Sequence, residues 1–131
     1  MQNLTPLLVT TLSDYRKWFR TKGNSGAFAD LSEKNLEEKN FTNSILAEAN
    51  FQNSDLRGAN FHDARLTKVQ FQYCNLEETD LMWADFRGAI FDHASLAGAY
   101  LHGTDLRESN ITKEQVKLAY TDKSTLFPNF I

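Results

Sequence analysis

Residues 49–66 read ANFQNSDLRGANFHDARL, and a large apolar side chain recurs in this stretch at every fifth position. The spacing extends in both directions: from Leu31 to Ile111, all seventeen positions five apart are Leu, Phe or Ile. Those three residue types fill only 30 of the 131 positions of the chain. A fixed period sustained over this length predicts a repeat architecture in which each unit packs on its neighbours. The seventeen positions are called centres below.

A second series lies two residues before each centre and consists mostly of small side chains. It contains eight Ala, three Ser, two Thr, Cys74 and Val69, with Lys34 and Lys39 as exceptions. Neither the helical period of about 3.6 nor the strand period of 2.0 explains a spacing of five. Two inward residues flank one outward residue, and two further residues turn a corner. The pattern therefore predicts one short extended side per repeat and a chain that winds as a coil.

Residue identity indicates how many sides close one coil, because centres that stack on each other should be of the same residue type, since identical side chains nest in register. Centres twenty residues apart match in eight of thirteen pairs, whereas those fifteen apart match in four of fourteen. Centres ten apart match in eight of fifteen, but a two-sided coil would enclose no core. Four sides are favoured, and faces one to four denote the repeats centred on four columns. In order, the columns are Leu31, Phe51, Phe71, Phe91 and Ile111; Leu36, Leu56, Leu76 and Leu96; Phe41, Phe61, Leu81 and Leu101; and Leu46, Leu66, Phe86 and Leu106.

The triplets Ala29-Asp30-Leu31, Ala49-Asn50-Phe51, Ala59-Asn60-Phe61 and Ala84-Asp85-Phe86 carry a family resemblance. The chain resembles the pentapeptide-repeat proteins, whose signature is A-(D/N)-(L/F)-x-x, and in particular a small bacterial or cyanobacterial-type member. The resemblance implies an all-β solenoid, a right-handed quadrilateral β-helix of about four coils over residues 27–111. The departures are Lys34 and Lys39 at inward sites, and Ile45, Arg65, Ile90 and Tyr100 where Asp or Asn is typical; we expect the last four to alter only the surface.

Both ends of a stacked coil leave unpaired backbone groups that need covering. Residues 1–26 predict a helical cap with N-cap Thr5, followed by Pro6, and with Gly23 as its stop. A stripe of Leu8, Leu12, Tyr15 and Phe19 suits packing on the first coil, or else a partner or membrane surface.

Residues 112–131 predict a second cap at the other end of the coil. Thr112 to Gln115 has capping-box spacing, which predicts a short helix to about Tyr120. The apolar ending either seals the last coil of a monomer or pairs two rods end to end as a homodimer. The candidate contact residues are Leu126, Phe127, Phe130 and Ile131.

Charge and cysteine usage exclude several functions. The net charge of −3 argues against a broad basic patch, so no direct contact with nucleic acid is expected. No apolar run approaches the roughly 20 residues of a membrane helix, and residues 1–9 lack the positive region of a signal peptide, so we expect a cytoplasmic protein. One cysteine builds neither a disulfide framework nor a four-ligand zinc site, and Cys74 is expected as a small buried side chain rather than a reactive thiol.

No catalytic constellation can be assembled from the three histidines. His62 and His102 share an outward column two coils apart, about 9.6 Å, which is too far for one metal ion. Asp92 and His93 are adjacent on an outward corner, where we expect them to be solvated. We therefore expect no enzyme activity, no cofactor and no metal. We expect the aliphatic stems of Lys34 and Lys39 to pack near the rim of the first coil, with their ammonium groups reaching Glu33, Glu37 or Glu38.

A binding surface remains as the functional hypothesis. Face three carries a cluster of aromatic and soft side chains, defined here as the face-three patch: His62, Met82, Trp83, Tyr100 and His102. Trp and Tyr commonly anchor interfaces, so we expect a non-catalytic protein-binding or scaffold module, although scattered surface aromatics are an equal alternative. On face four, Arg87 and Arg107 are expected to pair with Asp85 and Asp105 as a solvated ladder.

The resemblance implies a second hypothesis of a different class. Some pentapeptide-repeat proteins resemble duplex DNA in shape and charge, engage DNA gyrase, and protect it from quinolones. Such mimicry needs a continuous acidic surface with the charge density of phosphates. Acids and bases alternate on the faces of this chain, for example Glu37 and Glu77 with Arg57 between them, so the hypothesis is less favoured.

Overall fold

The structure, a computed structural model, describes residues 29–130. The chain divides into two compact units, Met1–Asp30 and Leu31–Ile131. The helical cap predicted from Thr5, Pro6 and Gly23 lies outside the described residues, as does Ile131. The division into residues 1–26, 27–111 and 112–131 therefore stays a prediction.

The second unit is a coil with 20 residues per turn. Parallel bridges join residues 20 apart from Asn35↔Asp55 to Asp85↔Asp105, and every side of the coil contributes them. One turn therefore consists of four five-residue sides, which confirms the four-sided interpretation. Each side is a single bridge residue between turns rather than a longer strand.

The core consists of the four predicted columns. All seventeen centres are at most 3% exposed, and the small residues from Ser44 to Ser109 are buried beside them. The rings of Phe41 and Phe61 stack with centroids 4.8 Å apart and planes 8° apart. That distance equals the usual spacing of hydrogen-bonded strands, so like side chains nest in register. The small series is required because the centres already fill the interior.

Backbone hydrogen bonds connect successive coils. In the repeats centred on Leu31 to Phe86, two N–H groups donate to the following coil, as Phe51 does to the Gln70 carbonyl at 2.9 Å and Asn53 to the Gln72 carbonyl at 3.0 Å. A third closes the corner, as Ser54 N–H does on the Phe51 carbonyl at 3.1 Å, and a fourth donates to the preceding coil. Burial between coils makes these bonds obligatory.

The fifth N–H of the repeat explains why Asp or Asn precedes most centres. The Asn60 Oδ1 atom accepts from the His62 N–H at 2.9 Å, and Asp80 Oδ1 accepts from the Met82 N–H at 3.0 Å. An Asx side chain that bonds the backbone two residues on is a turn-forming device. The repeats containing Ile45, Arg65, Ile90 and Tyr100 lack this acceptor, yet each keeps the same two-residue turn, with positive φ at its second residue.

The ion pairs predicted for the two inward lysines are not formed, although both side chains are packed as expected. Lys34 and Lys39 are half-buried, yet among residues 29–130 neither forms an ion pair with Glu33, Glu37 or Glu38. The Glu37 carboxylate instead lies 3.1 Å from Arg57 Nη2, in the coil that follows. Because an arginine one coil away is available to it, this carboxylate pairs across the stack rather than with the lysines.

The C-terminal helix is shorter than predicted. Helix α1 spans Lys113–Lys117, with Thr112 as its N-cap and a complete capping box with Gln115. It does not reach Tyr120, because that residue forms a parallel bridge with Tyr100 and returns the chain to the coil. The Tyr120 N–H donates to the Ala99 carbonyl at 2.8 Å. A helix that continued through Tyr120 would preclude this bond.

Cys74 lies in the buried small series, as predicted. It is 2% exposed, and its Sγ atom lies 2.8 Å from the Phe51 carbonyl, to which the thiol donates. Burial raises the pKa of the Cys74 thiol to about 12. Because the thiolate is the nucleophile, this side chain is unreactive in the folded chain. We predict no labelling of native protein by a thiol reagent at pH 8 and complete labelling in denaturant; rapid native labelling would contradict the burial.

Substitution Leu76→Ala tests the columns, because Leu76 is fully buried in the middle of the second one. We expect the free energy of unfolding to fall by about 2–5 kcal/mol, the usual cost of removing a buried leucine side chain. Chemical denaturation followed by circular dichroism measures it. The control is Arg65→Ala on the exposed surface, and an equal effect of both changes would contradict the assigned core.

Candidate functional site: the aromatic patch on face three

The predicted face-three patch lies on one face, around one corner of the coil. His62, Met82 and His102 each follow a centre directly and are half-buried. Trp83 is the second corner residue, with φ of 62°, and 54% of its surface is exposed. Tyr100 occupies the outward position in the middle of a side and is 41% exposed. The coil therefore brings all five predicted residues to the same surface.

The indole of Trp83 lies directly against the backbone of the next coil. A Cβ atom placed on Gly103 would lie 2.2 Å from Cε3 of Trp83 and 2.4 Å from Cδ2. Gly103 occupies the position 20 residues after Trp83, and its φ is 71°. The missing side chain thus makes room for the ring, which holds a large exposed aromatic group in a fixed place.

Tyr120 belongs to the same surface and was not predicted there. Its ring stacks on that of Tyr100, with centroids 5.2 Å apart and planes 21° apart, and it is 55% exposed. The sequence signal is the spacing of 20 residues from Tyr100. This spacing was not used to place Tyr120, because the capping box at Thr112 predicted a helix through this position.

Two aspartates lie beside His62, one of the two histidines of the patch. Nε2 of His62 lies 3.5 Å from Asp63 Oδ2, and its Nδ1 lies 3.6 Å from Asp80 Oδ1. At the other end of the patch, the Nδ1 atom of His102 is buried and has no hydrogen-bond partner among residues 29–130. The hydroxyl of Ser124 donates to Asp122 and is the main cause that lowers the pKa of that carboxyl.

On faces two and four, three arginines pair with aspartates of their own face. Arg87 Nη2 lies 2.8 Å from Asp85 Oδ2, and Arg107 Nη2 lies 2.7 Å from Asp105 Oδ2. Hydrogen bonding from Arg107 lowers the pKa of Asp105. The predicted ladder on face four is confirmed, and each arginine bonds the aspartate two residues before it. On face two, Arg57 bonds Asp55 in the same way.

On face one, Asp92 and His93 are exposed, as expected, and both also contact neighbouring coils. The His93 ring stacks on Tyr73, with centroids 4.7 Å apart and planes 11° apart, and Asp92 Oδ1 accepts from Asn110 Nδ2 at 2.6 Å. An open cleft of about 460 Å³ lies beside these residues and continues to Gln115 of α1. Gln115 Nε2 donates to backbone carbonyls of the neighbouring coil at 2.8 and 3.0 Å.

Residues 29–130 contain no group of three or more His, Cys, Asp or Glu side chains arranged to hold a metal ion. None of the helices in this range is long and apolar enough to cross a membrane.

The C-terminal candidate residues are partly exposed. Leu126 forms a parallel bridge with Asp105, so it extends face four, while Thr125 beside it is buried. The rings of Phe127 and Phe130 lie 6.0 Å apart. Leu126 and Phe127 are exposed and Phe130 is half-buried, which leaves apolar surface at this end of the described residues.

Substitution Gly103→Ala tests how the indole is held. The new Cβ would overlap the Trp83 ring, whereas in Gly98→Ala it would meet only the flexible Glu78 Cγ at 3.2 Å. Both positions have positive φ, so both changes carry a similar backbone cost of about 1–2 kcal/mol. We predict that only Gly103→Ala shifts Trp83 fluorescence, measured in a Trp18→Phe background. Identical spectra for both variants would contradict the packing.

Comparison with known proteins gives a family match and several similar folds. The family of pentapeptide repeats matches in eight copies, over residues 27–63, 44–81, 64–103 and 79–113. No curated protein matches the chain. The solved pentapeptide repeat protein from the Arabidopsis thaliana thylakoid lumen is 27% identical, over 73% of this chain and 77% of that chain, with a TM-score of 0.42.

Two further solved structures are similar to the chain. A pentapeptide repeat protein from Nostoc Pcc 7120 is 28% identical over 80% of this chain and 75% of that chain, with a TM-score of 0.32. QnrB1, a plasmid-mediated fluoroquinolone resistance protein, is 18% identical over 72% of this chain and 65% of that chain, with a TM-score of 0.40. Pentapeptide repeat proteins form right-handed quadrilateral β-helices and are generally non-catalytic. The family match covers more than half of the chain and coincides with the repeats of the coil, so this chain belongs to the pentapeptide-repeat family.

Proposed function

We propose that the chain is a non-catalytic binding module whose partner is a protein held on the face-three patch together with Tyr120. The observation that carries the proposal is the set of three exposed rings of Trp83, Tyr100 and Tyr120 on one face. Exposed aromatic rings of this size are costly to leave in water, and they are the side chains that most often anchor interfaces.

Rigidity supports the same proposal. Trp83 is seated on Gly103, and Tyr100 and Tyr120 stack on each other, so little side-chain freedom is lost when a partner binds. Immobilising a flexible side chain at an interface costs about 0.5–1.5 kcal/mol. A surface that is ordered before binding avoids much of this cost. Among the rings of residues 29–130, the exposed Tyr73 of face one contacts only the His93 imidazole.

The apolar C-terminal residues are a second contact in the proposal. Leu126, Phe127 and Phe130 would join two copies end to end, with Ile131 beyond the described residues. Size measurement by light scattering tests this: a dimer that Phe127→Ala converts to a monomer supports it, and a wild-type monomer rejects it. The cytoplasmic location stays a prediction, since one similar structure belongs to a thylakoid-lumen protein.

Mimicry of DNA by an acidic surface remains the alternative, and the charges of the described residues favour it less. Arginines on faces two and four neutralise the aspartates beside them, whereas mimicry needs an unbroken series of negative charges. A supercoiling assay with purified chain separates the two functions. A change in gyrase activity or in its quinolone sensitivity would support mimicry and contradict the proposal.

Substitution Trp83→Ala tests the proposed binding surface. We expect a crosslinking pull-down from native lysate to lose its partner, because removal of an interface tryptophan costs about 2 kcal/mol or more, roughly 30-fold in affinity. Circular dichroism should be unchanged, since the side chain is mostly exposed.

Tyr73→Ala is the matched control, because Tyr73 is an equally exposed ring at a corner of face one. Its partner recovery should equal that of wild type. Undiminished recovery with Trp83→Ala would reject the face-three patch as the binding surface.

A further inference from the structure

The aspartates Asp63 and Asp80 of face three differ from the aspartates of the neighbouring faces. On faces two and four, three aspartates each lie within 2.8 Å of an arginine. Within residues 29–130, the one basic group within 4 Å of Asp63 or Asp80 is the His62 imidazole, at 3.5 and 3.6 Å. Since an imidazole is charged only when protonated, these two carboxylates have no permanent positive partner there.

Each of these aspartates lies one coil before an exposed aromatic residue, at the same position of the repeat. Asp80 and Tyr100 form a parallel bridge, so they are neighbours on adjacent coils, about 4.8 Å apart along the stack. Asp63 and Trp83 occupy the same corner position one coil apart, and the Asp63 N–H donates to the Met82 carbonyl at 3.1 Å. The face therefore repeats a pairing of one carboxylate with one ring.

We propose that the face-three patch binds an arginine-containing segment of the partner protein, an inference that rests on the proposed function. A guanidinium is planar: it stacks on an aromatic ring and at the same time donates paired hydrogen bonds to a carboxylate. Adjacent carboxylate and ring groups, at Asp80 with Tyr100 and at Asp63 with Trp83, present both of these features together. A lysine ammonium would pair with the carboxylate, but it is not planar and would not stack on the aromatic ring.

Among residues 29–130, no arginine or lysine belongs to the face-three patch. The arginines among residues 29–130 lie on faces two and four, and three of the four, all but Arg65, bond aspartates. The lysines of face three, Lys39 and Lys123, belong to its first and last described repeats. The surface between them therefore offers negative charge and π faces to an incoming cation.

Calorimetric titration of the full chain with a defined peptide tests the inference. The probe is an end-blocked eight-residue peptide of alternating Arg and Ser, compared with the Lys and citrulline versions of the same peptide. We expect the Arg peptide to bind about fivefold more tightly than the Lys peptide, and the uncharged citrulline peptide not to bind. Affinity should fall as salt is raised, because the charges are exposed.

Two substitutions separate the ring from the carboxylate. Trp83→Ala and Asp80→Asn should each weaken binding of the Arg peptide about fivefold. Asp80→Asn retains an acceptor for the Met82 N–H, as Asn60 provides for His62 one coil earlier, so the turn is preserved. The matched controls are Tyr73→Ala and Asp92→Asn, a ring and a carboxylate of face one, and neither should change the affinity.

Equal affinity of all variants would overturn the inference, since it would mean attraction to the net charge of −3 alone. Equal binding of the Arg and Lys peptides, or none by either, would also overturn it. Loss of the lysate partner in Trp83→Ala without discrimination between the peptides rejects the arginine preference and leaves the proposed function standing. Patch-dependent binding of the Arg peptide with undiminished partner recovery rejects the proposed function instead.

Discussion

The backbone hydrogen bonds between successive coils are the constraint on which this structure depends. They run to residues 19 or 21 positions away and thereby bridge residues 20 apart on all four sides, so each side chain lies above its counterpart in the preceding coil. Inside, this register stacks Phe on Phe and Leu on Leu. Outside, it places Trp83 over Gly103 and Tyr100 beside Tyr120. The surface is thus as ordered as the core, because the same bonds position both.

Asp and Asn before the centres connect the core to the surface. Their side chains accept the one N–H of the repeat that no backbone carbonyl receives, as Asn60 does for His62. Where another residue replaces them, the outward position becomes free for other chemistry. Tyr100 occupies such a position, and its ring becomes part of the exposed patch. A departure from the repeat therefore exchanges a local turn bond for a side chain that can contact a partner.

Charge is distributed unevenly around the coil, although the chain is close to neutral. Arg87 and Arg107 bond aspartates of their own face, which leaves that surface internally paired. Face three has carboxylates and aromatic rings without arginine among the described residues. This difference between faces of one regular coil underlies the recognition proposed for face three.

The sequence alone determined the five-residue period, the four sides, the buried columns and the residues of the patch. These follow from side-chain size and spacing, which a repeat presents identically along the chain. It did not determine the partners of Glu37, the stacking of Tyr73 on His93, or the return of Tyr120 to the coil. Local signals such as the capping box at Thr112 predicted a longer helix. Only the tertiary structure decided these features, because pairing with a coil 20 residues away outweighs the preference of a short helix to continue.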